Sequence, residues 1–266
     1  MSDAAAAEVV VRPAWLADHR ETVRIVDVRD AWEYDGIGHI PGAVNVPFET
    51  FRGGDADVGM LPGVDRFAEL MRQAGIATDD TVVAYDDEHG VFAARFVVTA
   101  WLYGHADCRL LNGDYSAWNR QYETSTEPST LPASDYQATI PSTRPLIDAD
   151  GVLAAIDDPD AVLVDTRSTE EFAEGHIAGA VHLDWRDLVD PDTRGFKDQA
   201  TLREQLAADG ITPDRRIVLY CNTARRISHT YVGLRWLGFE NIAFYEGSLT
   251  DWRERDLSLE TGTERG

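Results

Sequence analysis

The chain repeats itself, and the repeat limits the architectures open to it. IVDVRDAWEYDGIGHIPGAVNV, from Ile25 to Val46, returns as LVDTRSTEEFAEGHIAGAVHL from Leu163 to Leu183, one residue shorter before Gly-His-Ile. VVAYD, ending at Asp86, returns as IVLYC, ending at Cys221, and in each half a Trp-Leu pair follows fifteen positions later, at Trp101 and Trp236. NGDYSAW, from Asn112 to Trp118, returns as EGSLTDW from Glu246 to Trp252. Landmarks recurring in one order mean two copies of one folding unit, and 266 residues give each copy enough chain to bury a core. Between the copies, from Gln121 to Pro145, the composition shifts to Ser, Thr and Pro, as expected of a semi-extended surface linker. The expected division is therefore a first domain over 1–120, a linker over 121–145 and a second domain over 146–266.

Within the first copy, short apolar runs alternate with helical patterns. Residues 1–12 read as a loose lead-in and Pro13 to His19 as a first short helix. Val23 to Val28, Thr81 to Tyr85 and Cys108 to Leu111 read as buried strands. Helices are expected over Val64 to Ala74, stopped by Gly75, over Val91 to Tyr103 and over Asp114 to Arg120. Alternation of this kind predicts an α/β fold, each domain a parallel β-sheet flanked by helices.

The chemistry concentrates in YCNTARR, Tyr220 to Arg226. It follows the strand-like run Arg216 to Tyr220 and leads into a helical stretch, Ile227 to Leu237, so Cys221 stands where a strand ends and a helix begins. The first N–H groups of a helix have no intrahelical partner and can face an anion. A helix N-terminus and nearby cations both favour a thiolate, lowering a thiol pKa from about 8.5 toward roughly 3.5–7.5. A lone cysteine is more often a small buried hydrophobe, but a core cysteine has no use for Arg225 and Arg226. Cys221 is the candidate nucleophile. At the corresponding place the first copy reads Asp86-Asp87-Glu88-His89-Gly90-Val91, three carboxylates and no thiol. Such a loop repels an anion, which makes the first copy an inactive scaffold and the second the catalytic domain.

Composition narrows the partners. With 47 Asp and Glu against 24 Lys and Arg the net charge is −23, and Lys197 is the sole lysine. That balance argues against nucleic acid or an anionic membrane as partner and is similar to the surfaces of proteins from salt-loving microbes. The sequence has no apolar run long enough for a membrane span and no secretory start at its N-terminus, so a cytoplasmic location is expected. Cys108 and Cys221 lie far apart, without metal-ligand spacing. Cys108, within a short apolar strand, reads as buried and inert. Trp32, Trp185 and Trp252 read either as core or as the lining of a cleft.

Together these residues resemble the rhodanese family of sulfurtransferases in its tandem form, two rhodanese-like domains of which the second is active. The likeness runs from about Trp15 to Trp252 and rests on the paired Asp-x-Arg and Gly-His-Ile segments (Asp27, Arg29, His39; Asp165, Arg167, His176) and on CNTARR. Phosphatases of this fold carry C-x5-R; here Cys221 to Arg226 is C-x4-R, a shorter loop suited to a sulfane sulfur. The resemblance implies a thiosulfate sulfurtransferase working through a Cys221 persulfide. Asn222, Thr223, Ala224, Arg225 and Arg226 would bind the donor, cyanide or a thiol would accept the sulfur, and neither cofactor nor metal is called for. A basic loop favours thiosulfate over 3-mercaptopyruvate, although Asn222 and Ala224 stand where the commonest thiosulfate pattern has Arg and Gly. A 3-mercaptopyruvate sulfurtransferase and a persulfide carrier or binding module remain alternatives. Arg29, Arg167, His39 and His176 occur in both copies, so structural roles are expected of them, and for His229 a packing or surface role.

Overall fold

In the computed structural model, which describes residues 9–53 and 60–262, the chain forms two compact units. The first comprises Met1–Ser142 together with Pro191–Gly195, and the second Thr143–Asp190 with Phe196–Gly266. Each unit carries one five-stranded parallel sheet with helices around it. In the first, β1 (Val10–Val11), β2 (Arg24–Asp27), β3 (Ala43–Asn45), β4 (Val82–Tyr85) and β5 (Cys108–Leu111) lie in the order β1-β5-β4-β2-β3. In the second, β6 (Leu146–Ile147), β7 (Ala161–Asp165), β8 (Val181–His182), β9 (Arg216–Tyr220) and β10 (Ile242–Tyr245) take the same order, β6-β10-β9-β7-β8. Among the described residues no helix is long and apolar enough to cross a membrane.

The central strands are apolar because both sheet faces are covered. Val82 to Tyr85 and Ile217 to Tyr220 are fully buried. The expected helix Val64 to Ala74 is present as Val64–Gln73, and Gly75 beyond it takes φ +69°, where a Cβ would run into the Leu131 side chain and the Pro132 backbone. Residues 9–12 are not loose: Val10 and Val11 pair in parallel with Leu110 and Leu111. A two-residue strand has no periodicity to read, so the sheet edge has to be found in space rather than in the sequence.

The placement of the loops around Cys221 follows from topology. From β7 the chain steps outward to β8, whereas from β9 it steps outward the other way to β10. Their carboxyl ends therefore flank a switch point, where open α/β sheets place their ligands. That corner is pinned by a buried ion pair. Asp165, the last residue of β7, accepts from Arg167 Nε at 2.9 Å and Nη2 at 2.6 Å, and Arg167 Nη2 also donates to the Gly175 carbonyl at 2.7 Å. Tyr220, the last residue of β9, sends its hydroxyl to the same knot, where it accepts the Ile177 N–H at 3.1 Å and bonds Asp165. Burial pushes the Tyr220 phenol up, with Asp165 adding to it, so the hydroxyl keeps its proton. Asp27, Arg29 and Tyr85 repeat the arrangement in the first unit. The Gly-His-Ile histidines close the turns: the ring Nδ1 of His39 bonds the Tyr34 carbonyl at 3.0 Å and that of His176 the Phe172 carbonyl at 2.9 Å.

Removing one member of a desolvated ion pair strands the other. Arg167→Ala is expected to lower unfolding free energy by ~3–5 kcal/mol, read from urea denaturation. A change below about 1 kcal/mol, the size of an exposed pair, would show that the knot does not pin this corner.

Candidate functional site

Cys221 is the first residue beyond β9, next to the pinned Tyr220, and it is 1% exposed. Two adjacent residues of the second unit, at the turn after β10, hold its backbone. Its N–H donates to Ser248 Oγ at 3.1 Å, and its carbonyl accepts the Leu249 N–H at 3.0 Å. Ser248 in turn donates to the Tyr245 carbonyl at 2.9 Å and takes φ +49°, in the left-handed region. The turn after β10 thus holds the backbone of Cys221 at both its N–H and its carbonyl. Sequence comparison of EGSLTDW with NGDYSAW marks this turn as a landmark but does not reveal the serine's bond to the Cys221 amide.

Beyond Cys221 the loop turns tightly into the helix Arg225–Trp236. Ala224 makes the turn with φ +63°, a conformation that costs a residue with a Cβ roughly 1–2 kcal/mol. Glycine is the usual residue where the chain must turn in this way. The Arg225 N–H is taken up by the Thr223 carbonyl at 2.8 Å, so it is not available to a ligand as the sequence reading expected of the whole run Asn222 to Arg226. Arg226 is engaged as well: its Nη1 donates to Glu171 Oε2, while Glu171 Oε1 accepts from Asn222 Nδ2 at 2.7 Å. Glu171 is a residue the sequence reading missed. Its only signal was the Ser168-x-x-Glu171 spacing of a helix capping box, which accounts for it without reference to the loop.

The first unit shows what such a loop holds. Asp86 occupies the place of Cys221, and its carboxylate accepts four backbone N–H groups, from Glu88 at 2.9 Å, Gly90 at 2.8 Å, Phe92 at 2.7 Å and Ala93 at 2.9 Å. The opening over it is lined by Asp30, Glu33, Glu49, Asp86, Asp87 and Glu88, together with Arg29 and the apolar Val28, Phe48 and Phe92. His89 adopts φ +59° at the position matching Ala224, so the two backbones turn alike. The Asp86 carbonyl accepts the Tyr115 N–H at 2.8 Å, as that of Cys221 accepts Leu249. Arg194, carried by the Pro191–Gly195 segment of the same unit, pairs with Asp114 through Nε at 2.8 Å and donates to the Asp87 carbonyl at 3.1 Å.

The remaining candidates take structural places. Burial pushes the Cys108 thiol far up, so it is inert. His229 is fully buried, stacked on Phe196 at 4.4 Å and edge-on to Trp185 at 5.1 Å. Trp185 and Trp252 are core residues, whereas Trp32 is 65% exposed and lines no core. Among the described residues no cluster of His, Cys, Asp and Glu is arranged to hold a metal ion.

Asp86 also makes stability depend on pH. Burial pushes its carboxyl up to about 6, against the lowering effect of four N–H donors. A folded-state value above the unfolded one means tighter proton binding by the folded chain between about pH 4 and 6. The stability this contributes is full below about pH 4 and is lost as pH rises through 6. Across that window Asp86 is expected to contribute a fall of up to about 1.4 kcal/mol per pH unit. Asp86→Asn should flatten the pH profile of urea unfolding by that amount; superimposable slopes would refute it.

Comparison with known proteins agrees with this geometry. The rhodanese-like domain model matches twice, over residues 12–121 and 148–255. The chain is 33% identical over 279 residues to a thiosulfate sulfurtransferase of Corynebacterium glutamicum, covering 96% of this chain and 91% of that protein. It is 33% identical over 272 residues to the sulfur carrier protein TtuD of Thermus thermophilus, covering 92% of this chain and 93% of that one. In fold it superposes on the anaerobic ergothioneine biosynthesis enzyme of Chlorobium limicola with a TM-score of 0.86 at 20% identity, over 99% of this chain and 72% of the other. The repeated sheet order, the doubled Asp-Arg-Tyr knot and the two family matches lead to one conclusion: the chain belongs to the rhodanese-like family, with two copies of the domain in tandem.

Proposed function

We propose that the protein is a sulfurtransferase that moves the sulfane sulfur of thiosulfate to cyanide or a thiol through a persulfide on Cys221. The observation that carries this reading is the exchange of Asp86 for Cys221 at equivalent strand ends. In the first unit the loop gives its N–H groups to its own carboxylate. In the second, the shorter thiol stands at the same place, ahead of a helix whose first N–H groups have no intrahelical partner. The second loop is thereby suited to hold an anionic sulfur and the first is filled from within, which makes the first domain inactive. The name of the Corynebacterium relative supports the activity.

The transfer proceeds in two displacements. The Cys221 thiolate attacks the outer sulfur of thiosulfate; the S–S bond of the donor breaks, its electron pair leaves with sulfite, and a persulfide forms on Cys221. Cyanide then attacks the terminal sulfur, giving thiocyanate and returning the thiolate, so each step conserves charge and needs no oxidant or base. The loop N–H groups other than that of Arg225, which Thr223 takes, stabilise the terminal persulfide sulfur as oxyanion donors do in acyl transfer, and the Arg225 side chain adds charge at the helix start. The two free thiols, Cys108 and Cys221, fit a reducing cytoplasm. A charge of −23 with a single lysine fits a salty one.

A second reading, a persulfide carrier that passes sulfur to a partner protein, is favoured by the burial of Cys221 and by the name of the Thermus relative. Thiocyanate formation from thiosulfate and cyanide, assayed at low and at molar salt, separates the two. The intact protein is expected to turn over repeatedly and Cys221→Ser to give no thiocyanate above the uncatalysed rate. A folded intact protein that yields at most one thiocyanate per chain at either salt concentration would reject the enzyme in favour of the carrier.

A further inference from the structure

Glu171 lies outside the catalytic loop yet touches it at two points. It is the third residue of the helix Thr169–Glu174, where it reaches back to the Ser168 N–H at 3.1 Å as a capping-box glutamate does. The same carboxylate accepts Asn222, the residue after Cys221, and Arg226, the last residue of the loop. One side chain therefore links the segment that follows the Asp165–Arg167 knot to both ends of the loop. Both partners are part-buried, Arg226 at 21% and Glu171 at 28% side-chain exposure, so solvent screens the pair only in part. Burial acts to raise the Glu171 carboxyl, but Arg226, the Ser168 N–H and Asn222 outweigh it and hold the group below the usual carboxylate range, so it is charged.

The first unit isolates the feature. Glu33 caps Asp30 in the same way, accepting its N–H at 3.2 Å. The loop positions that match Asn222 and Arg226 are Asp87 and Val91, neither of which carries a cation. Asp87 instead accepts from the Ser116 amide at 2.8 Å and hydroxyl at 3.0 Å. The capping role is shared by both copies; the link to Arg226 is found in the copy that has the thiol.

We propose that Glu171 sets the charge selectivity of the donor site, holding Arg226 in an ion pair and thereby limiting the preference of the Cys221 loop for dianionic over monoanionic donors. The inference rests on the sulfur-transfer reading for its meaning but not for its test. An anion in the loop meets Arg226 with its charge already offset, and a full negative charge stands behind it. Because Coulomb energy scales with the charge of the ligand, removing that negative charge favours a dianion about twice as much as a monoanion. Glu171 is a positioning residue in this account and touches no reacting atom.

The test uses Glu171→Gln, which keeps the capping geometry, since Gln serves at this position as Glu does. In the intact protein, KM for thiosulfate, a dianion, is expected to fall about threefold or more relative to KM for 3-mercaptopyruvate, a monoanion. A purely structural role would instead lower kcat for both donors alike. In parallel, thiosulfate and thiocyanate binding is measured by calorimetry in Cys221→Ser alone and in Cys221→Ser combined with Glu171→Gln. The ratio of the two affinities is expected to shift by the same factor toward the dianion. Arg226→Gln is the control, and it should cost more dianion affinity in the Glu171→Gln background than in its absence. An affinity ratio that ignores Glu171 overturns the inference and leaves sulfur transfer standing. A ratio that responds in a protein without turnover rejects transfer and keeps the inference, and failure of Cys221→Ser to bind either anion overturns the inference.

Discussion

The buried Asp165–Arg167 pair, with the Tyr220 hydroxyl closing it, is the interaction on which the corner that carries Cys221 depends. Its guanidinium also bonds the Gly175 carbonyl, so the cation ties the end of β7 to the turn before β8, and the Tyr220 hydroxyl, bonded to Asp165 and to the Ile177 N–H, adds the end of β9. Side chains alternate along a strand. Fixing Tyr220 on one side of β9 therefore fixes the direction in which the chain leaves the strand at Cys221. A pair of this kind contributes little net stability compared with apolar residues of the same shape, but it tolerates few geometries. Its presence in both units, around Asp27 and Arg29 in the first, marks it as part of the fold rather than of the chemistry.

On that shared frame the two loops have diverged in electrostatics. The first gathers its backbone N–H groups around the Asp86 carboxylate and lines the opening with six carboxylates beside Arg29. The second replaces that carboxylate with a thiol and places arginines at the start of the helix, one of them held by Glu171. The same backbone turn, made by His89 in one copy and Ala224 in the other, follows a carboxylate in the first and a thiol in the second.

Much of this was legible in the sequence because the repeat supplied its own comparison. The central strands were readable as continuous apolar runs, and the expected Cys108 to Leu111 and Arg216 to Tyr220 are the strands observed. The shared Asp-x-Arg and Gly-His-Ile residues pointed to structural roles, and their side chains take them. Contacts between segments distant in sequence were not legible. The Ser248 hydroxyl that accepts the Cys221 N–H comes from 27 residues further on, and Glu171 reaches Arg226 across 55. Neither contact leaves a local pattern, and Glu171 in particular satisfied a local rule that concealed its longer reach. The edge strand at Val10 and Val11 escaped for a similar reason, since its pairing partner lies at Leu110 and Leu111.

The most direct test of the central claim is the intact mass of the protein after exposure to thiosulfate and removal of the excess. The account predicts a gain of one sulfur atom, mapped to the peptide carrying Cys221, lost on addition of cyanide and absent from Cys221→Ser. A protein that gains no sulfur, or that gains it on Cys108, would contradict the account.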